Sequence, residues 1–307
     1  MPDQSLSDIP GAARAKVNLF LHVGEKRDDG FHAMQSLAVF PALGDVLRAE
    51  PSSLLSLSVD GPFAASLANE SDNLVLKAAR ALNSIAGATL NLTKNLPVSS
   101  GIGGGSADAA AALRILSLLW GLDLDEFKLR EIAATIGSDI PVCVASEPRW
   151  MAGRGEVLSP VASLPHLPML LVNPRVEVPT KDVFAALQNR TGVERKMPPG
   201  RFRDVADILR FLDASKNDLE EPARRIQPVI SEVLAALSAL PGTLFARMSG
   251  SGATCFALFP DDDSCVRASE ILTSAKPGWW IQATSVPEFG IVHEDAGQDI
   301  GPTDQGL

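Results

Sequence analysis

The sequence predicts an α+β protein of two domains, on three observations: its length, its mixture of short strands and helices, and a proline-rich break near its middle. The chain has 307 residues, more than one ordinary core uses and enough for two domains of common size. Strand-like and helix-like segments occur in both halves, as expected of mixed layers. Prolines punctuate the stretch between Ser159 and Pro168, marking a boundary. The expected organisation is a polar tail over 1–11, a first domain over 12–162, a second over 163–290 and a second tail over 291–307. Hydrophobic residues make up 46% and charged residues 21%, which is globular composition. The net charge of −10 argues against the basic face that grips nucleic acid and against anionic membrane surfaces as partners. No apolar run approaches the ~18 residues needed to span a bilayer, and the polar N-terminus lacks a leader-like apolar region. Cys143, Cys255 and Cys265 are odd in number and contain no C-x-x-C pair, so neither a disulfide framework nor a zinc site is suggested. A cytoplasmic monomer or homodimer is expected.

In chain order, residues 15–23 alternate. Ala15, Val17, Leu19, Leu21 and Val23 point one way; Lys16, Asn18, Phe20 and His22 point the other. That predicts a strand with one apolar face and one face carrying a cation and an amide. Asp72 or Ser71 can cap a helix over 74–86 that stops at Gly87. A strand over 89–92 leads to a glycine-rich stretch, which opens into a helix over 107–120 ended by Gly121. Asp123 or Asp125 starts a third helix, closed by Gly137, with Asp139 just beyond it. Strands are expected over 142–145 and 169–172. Past the break, helices are expected over 181–188, 205–212, 221–240 and 264–274. A second glycine turn, 249–252, joins strands over 244–247 and 254–259, and a strand over 279–285 closes the second half. Residues 190–203 read as a basic loop.

The most informative stretch is Pro97-Val98-Ser99-Ser100-Gly101-Ile102-Gly103-Gly104-Gly105-Ser106-Ala107-Asp108. Its glycines permit positive φ, so successive backbone N–H groups can converge on one ligand. The alanine-rich helix that follows begins with unpaired N–H donors. A glycine nest feeding a helix N-terminus is an anion site, most often for phosphate. Ser106 adds a hydroxyl for a phosphate oxygen or for Mg²⁺. The stretch has no Walker A lysine, and the dinucleotide G-x-G-x-x-G pattern fails at Ser106. Alone, it leaves open a plain surface loop with an ordinary helix cap.

Two other segments decide between these readings. Ala15-Lys16-Val17-Asn18-Leu19-Phe20-Leu21, residues 97–110 and Met248-Ser249-Gly250-Ser251-Gly252-Ala253-Thr254 resemble, in order, the three signature motifs of the GHMP small-molecule kinase superfamily. Arg27-Asp28-Asp29-Gly30-Phe31-His32, Gly137-Ser138-Asp139-Ile140-Pro141, Asn173-Pro174 through Pro179-Thr180, and Asn217-Asp218-Leu219-Glu220 narrow the likeness to one branch of it. The resemblance covers roughly residues 15–286. It implies a two-domain GHMP kinase fold with ATP and substrate meeting in the cleft between domains. It also implies ATP-dependent phosphorylation of the 2-hydroxyl of 4-diphosphocytidyl-2-C-methyl-D-erythritol, in the non-mevalonate isoprenoid pathway. Homoserine- or mevalonate-type kinases of the same superfamily are disfavoured by Phe31-His32 and by residues 217–220. A non-catalytic nucleotide sensor is disfavoured by the presence of both Lys16 and Asp139. Ser99 and Ser100 stand where the family commonly has glycine or alanine, and Phe31 where it often has tyrosine; the small side chains and the phenyl ring keep the cradle and the stacking surface.

Phosphoryl transfer needs an in-line alcohol, a way to handle its proton and neutralisation of the moving charge. The resemblance makes Asp139 the base or orienting carboxylate. Lys16 becomes its partner, an ammonium that depresses the carboxylate pKa and stabilises a forming alkoxide. Substrate recognition falls to Asn18, Phe31, His32, Asp139, Thr180 and Phe184, with Phe31 and Phe184 sandwiching the cytosine and His32 at its edge. The ATP phosphates fall to Gly101, Gly103, Gly104, Gly105 and Ser106, within a loop that includes Pro97, Ser99, Ser100 and Ile102. Asn73 and Leu74 are expected to line the adenine site and Lys94 to flank it. Gly250, Ser251 and Gly252 are expected to pack on the phosphate loop and shape the cleft. Mg²⁺ is expected with ATP, with Ser106 as the candidate protein ligand. His22 is read as structural, and His166 and His293 as surface residues.

Overall fold

The computed structural model describes residues 11–28, 30–67, 73–193 and 200–290. The expected tails (apart from Gly11), Ser71, Asp72, Asp29, His293 and the middle of the basic loop lie outside those residues. Gly11 belongs to the folded body instead of the tail, because its carbonyl accepts the Leu47 N–H at 2.8 Å.

The first half carries two sheets. One has strand order β1-β4-β6-β5 and is formed by β1 (Ala12–Arg14), β4 (Gly44–Pro51), β6 (Ala88–Thr93) and β5 (Leu55–Asp60), the last two pairing in parallel. Helices α1 (Leu74–Leu82) and α2 (Gly104–Leu119) pack on it, and α3 (Glu126–Ile136) and α4 (Ile140–Ala145) pack on those helices. The other sheet, β2-β3-β7-β8, joins β2 (Val17–Lys26), β3 (His32–Val39), β7 (Arg149–Ala152) and β8 (Val157–Pro160). The second half has one antiparallel sheet, ordered β10-β11-β9-β12, from β10 (Phe245–Met248), β11 (Cys255–Leu258), β9 (Leu167–Asn173) and β12 (Trp280–Val286). Helices α8 (Val229–Ala239) and α9 (Asp262–Ala275) cover this sheet. The shorter helices α5 (Thr180–Ala185), α6 (Val205–Asp213) and α7 (Glu220–Ile226) complete that half. The α+β class is as expected. Ala15, Val17 and Leu19 of the first half share one core with Met169, Leu171 and Phe256 of the second, so the halves meet through apolar surface.

Five local expectations are corrected. The segment 15–23 does not have one polar face. A register irregularity between Asn18 and Leu21 turns Leu19 and Phe20 into one core while Leu21 and Val23 enter another. Lys16, Asn18 and His22 are buried as well. Helix α1 is capped by Asn73, whose side chain accepts the Val75 N–H at 2.9 Å. It stops at Leu82 because the Asn83 carboxamide takes the N–H groups of Ile85 and Ala86, a local bond that competes with helix. Helix α2 starts at Gly104, so three residues assigned to the loop form its first turn. Residues 142–145 are helical, with Pro141 in the first turn where its missing N–H costs nothing; burial on every side overrides the β-branched valines. The helix expected over 221–240 is two helices parted at Gln227-Pro228, since proline cannot continue the hydrogen-bond ladder.

Candidate active site

The first turn of α2, the strand β2, helix α5 and the turn 249–252 enclose a cleft of about 1040 Å³. The loop that enters α2 winds through left-handed backbone at Ser99 (φ 52), Gly101 (φ 77) and Gly103 (φ 63). Ser99 therefore occupies a conformation that glycine adopts without strain. The buried Ser100 hydroxyl donates to the Pro97 carbonyl at 2.6 Å. Ile102 does not face the cleft: its side chain is fully buried in the shared core, and its carbonyl accepts the Lys16 N–H at 2.9 Å. It anchors the loop to β2 and has no surface to offer a nucleotide. Gly103, Gly104, Gly105 and Ser106 line the cleft.

The second glycine turn lies against this loop. A Cβ on Gly101 would fall 2.6 Å from the carbonyl oxygens of both Ser249 and Gly252. The Ser249 hydroxyl accepts the Asn18 N–H at 3.0 Å and donates to the Gly101 carbonyl at 3.1 Å. One hydroxyl thus ties β2, the phosphate loop and the turn together. Gly250 and Ser251 line the cleft, whereas Gly252 stays behind it against Met248. Residues 217–220 act as a bracket for the same turn. The Asn217 amide donates to the carbonyls of Met248 and Gly250 at 2.8 Å each, and Glu220 accepts the Met248 N–H at 3.0 Å.

Lys16 Nζ lies 2.9 Å from Asp139 Oδ2, with the lysine side chain 6% exposed and the aspartate 42% exposed towards the cleft. Asp139 is the residue before α4, and its side chain makes no helix-capping bond, which leaves the carboxylate to the lysine and the cleft. The Lys16 ammonium holds the Asp139 carboxyl below the usual carboxylate range, against the opposing effect of burial. Burial by itself would depress the Lys16 ammonium, but the charge and hydrogen bond of Asp139 outweigh it and the net shift is upward.

Lys94 borders the cleft, and its ammonium is held by two buried carboxylates. Its ammonium is 2.5 Å from Asp45 Oδ2 and 2.6 Å from Asp108 Oδ2, with the three side chains 2%, 0% and 4% exposed. It sits under the phosphate loop, where a Cβ on Gly104 would be 3.1 Å away. The remaining oxygen of Asp45 accepts the N–H groups of Asn95 and Leu96. Burial drives the Asp108 carboxyl well above its ordinary pKa although Lys94 opposes it. Asn73 and Leu74 line the cleft, but the Asn73 carbonyl oxygen is committed to its helix cap.

At the other end, Phe184 is stacked on His32 with ring centroids 5.5 Å apart and planes 18° from parallel. Phe31 is 49% exposed, under the Arg154 guanidinium at 5.2 Å. Phe31 and Phe184 both line the cleft, and Phe184 also stacks on His32. Burial, with Arg190 and Lys26 nearby, lowers the His32 pKa. Thr180 Oγ1 meets Ser251 Oγ at 2.8 Å. The Asn18 amide donates to Ser36 Oγ at 2.7 Å, and its buried Oδ1 has no partner among the described residues.

Family models for the GHMP kinases N terminal domain and the GHMP kinases C terminal match residues 73–147 and 185–277. A protein of Ruegeria pomeroyi named 4-diphosphocytidyl-2-C-methyl-D-erythritol kinase is 50% identical over 274 residues, covering 89% of this chain and 97% of its own. The chain belongs to the GHMP kinase family. A crystal structure of 4-(cytidine 5'-diphospho)-2C-methyl-D-erythritol kinase superposes with TM-score 0.70 at 34% identity, covering 90% of this chain and 98% of that one. The structure of L. major mevalonate kinase with R-mevalonate reaches TM-score 0.66 at 17% identity, covering 92% and 96%, and shows the fold alone.

Within this GHMP kinase, sequence reasoning missed Lys26, Arg154 and Lys181, which add positive charge to the cleft. They come from separate elements with no shared motif, so no local pattern marks them. It also missed Asp45, whose role appears only once β4 is placed under the loop. Among the described residues no group of three or more His, Cys, Asp or Glu side chains could hold a metal. The Ser106 hydroxyl lines the cleft at the first turn of α2, an oxygen donor of the kind that Mg²⁺ takes.

Proposed function

We propose that this protein transfers the γ-phosphoryl group of ATP to the 2-hydroxyl of 4-diphosphocytidyl-2-C-methyl-D-erythritol, in the non-mevalonate route to isoprenoid precursors. The observation that carries the reading is the Lys16–Asp139 pair at 2.9 Å, half open to the same cleft as the glycine turn of α2. The backbone N–H groups of Gly103 to Ser106 and the positive end of α2 bind the triphosphate. Ser106 would help hold a Mg²⁺ ion carried in with ATP, which would supply neutralisation of phosphate charge. Asp139 accepts a hydrogen bond from the attacking hydroxyl and orients its lone pair at phosphorus. As the new O–P bond forms and the bond from the γ-phosphorus to the bridging oxygen breaks to release ADP, the hydroxyl proton passes towards that carboxylate. Lys16 keeps the carboxylate ionised and stabilises the negative oxygen. A loose transition state asks little of the base early, so positioning does most of the work.

At the substrate end, Phe31 and the His32–Phe184 stack offer ring faces to a cytosine. A neutral His32 can hydrogen-bond the base edge. The cations Lys26, Arg154 and Lys181 suit a diphosphate. The unpaired Asn18 Oδ1 is an acceptor for a substrate hydroxyl, and leaving it unmade carries a cost. The three buried thiols suit the reducing cytoplasm. The test is a substrate panel. ADP release is expected with the diphosphocytidyl substrate and not with mevalonate or homoserine. Turnover of either of those, and none of the diphosphocytidyl compound, would sink the assignment.

A further inference from the structure

Helix α4, which presents Asp139 at its start, is held at its other end by two arginines. Arg114, in α2, donates one guanidinium nitrogen to the carbonyls of Cys143 and Val144 at 3.0 and 2.9 Å, and the other to the carbonyl of Ala12 in β1. Arg14, in β1, donates to the carbonyl of Ser146, the residue that ends α4 in left-handed backbone. The last carbonyls of a helix have no partner within it, and cations there also complement the helix dipole. Lys16 follows Arg14 by two residues and grips Asp139 at the opposite end of α4. The short helix is therefore clasped at both ends by one stretch of chain, residues 12–16. Arg114 couples that clasp to α2, the helix whose first turn is the phosphate cradle.

We propose that Arg114 and Arg14 are positioning residues that fix the Asp139 carboxylate relative to the phosphate loop. The inference rests on the role given above to Asp139. Arg114 belongs to the same rigid helix as Gly104 and Ser106, so the distance between nucleotide and carboxylate is set through its three carbonyl contacts. Displacements of about 1 Å in such an arrangement cost on the order of 100-fold in rate. Neither arginine lines the cleft, so their loss leaves the binding surfaces for both ligands in place. Burial lowers the Arg114 pKa to about 10, and lysine, with one ammonium, cannot reproduce the planar fork that reaches three carbonyls.

The experiment compares the full-length enzyme with Arg114→Met, Arg114→Lys and Arg14→Met. In each variant, kcat is expected to fall by about tenfold or more while KM for ATP and for the diphosphocytidyl substrate stays within about threefold. Amide exchange is expected to quicken over 140–146 and to stay slow over 104–110. The Asp139 carboxyl, followed by NMR, is expected to titrate closer to its ordinary value as contact with Lys16 loosens. The proposal is overturned if kcat holds within about twofold, or if the loss of activity appears as a raised KM for ATP with the Asp139 titration unchanged. Arg14→Met removes one contact only and decides by the same readings if Arg114→Met does not fold. If the unaltered enzyme fails to turn over the diphosphocytidyl substrate, the function is wrong. The exchange and titration readings still decide whether the arginines hold Asp139 in place.

Discussion

Asp139 and Lys16 each shift the other, and the signs define where the pair is intact. The Asp139 pKa is depressed from its ordinary 3.8. Its contribution is present above the unfolded carboxylate value and is lost as pH falls through the lower folded value. The Lys16 pKa is raised from 10.5, so its contribution is present below that value and is lost as pH rises through the folded one. Between about pH 5 and pH 10 neither group titrates. In Lys16→Met, burial acts on the carboxylate unopposed, and the NMR midpoint of Asp139 should move above its wild-type position; an unchanged midpoint would mean that the ion pair does not set it. Lys94 has a structural task. Replacing it with methionine strands Asp45 and Asp108 in the interior, at a cost of about 3–5 kcal/mol by urea denaturation. Acidification should restore part of that loss, because burial already raises the Asp108 pKa and favours its neutral form. A loss below about 1 kcal/mol would show that water reaches the pair.

At the scale of elements, the glycine loop that enters α2 and the turn 249–252 are one packed unit. Gly101→Ala forces a Cβ within 2.6 Å of two carbonyl oxygens at a φ of +77. It should destabilise the fold by about 1–3 kcal/mol and raise the KM for ATP, because the loop must part from residues 249–252. Wild-type stability and ATP affinity in this variant would show that the contact is dispensable. These parts were legible in the sequence where a residue type has one local use. The glycines marked the nest, Asp125 was one of two candidates for the start of α3, and Gly137 marked its end. What sequence reasoning missed depended on tertiary neighbours. Valines at 142 and 144 read as strand until burial on all sides makes them helix. Ile102 sits within a phosphate motif yet points into the core. The bonds of Lys94 to Asp45 and Asp108 lay beyond sequence reading because no local pattern announces Asp45 beneath it. Residues 217–220 were recognised by likeness, but their work as a bracket for the turn appears only in the hydrogen bonds of Asn217 and Glu220.

At the scale of the whole molecule, the cleft exists because the two halves share a core. Ala15, Val17 and Leu19 precede or interleave with the reactive face of β2 and pack against Met169 and Leu171 of the other half. Lys16, the phosphate loop and the turn 249–252 are therefore held in one arrangement before any ligand arrives, which suits a reaction governed by positioning. The central claim is that this arrangement places Asp139 at the hydroxyl that attacks ATP. The most direct measurement is single-turnover phosphoryl transfer from ATP to 4-diphosphocytidyl-2-C-methyl-D-erythritol in the wild type and Asp139→Asn, with ATP binding measured alongside. The wild type should form the 2-phosphate and ADP in equal amounts, while Asp139→Asn binds ATP as tightly but transfers at least about 100-fold more slowly. Transfer by Asp139→Asn at the wild-type rate, or wild-type product phosphorylated at another hydroxyl, would contradict the claim.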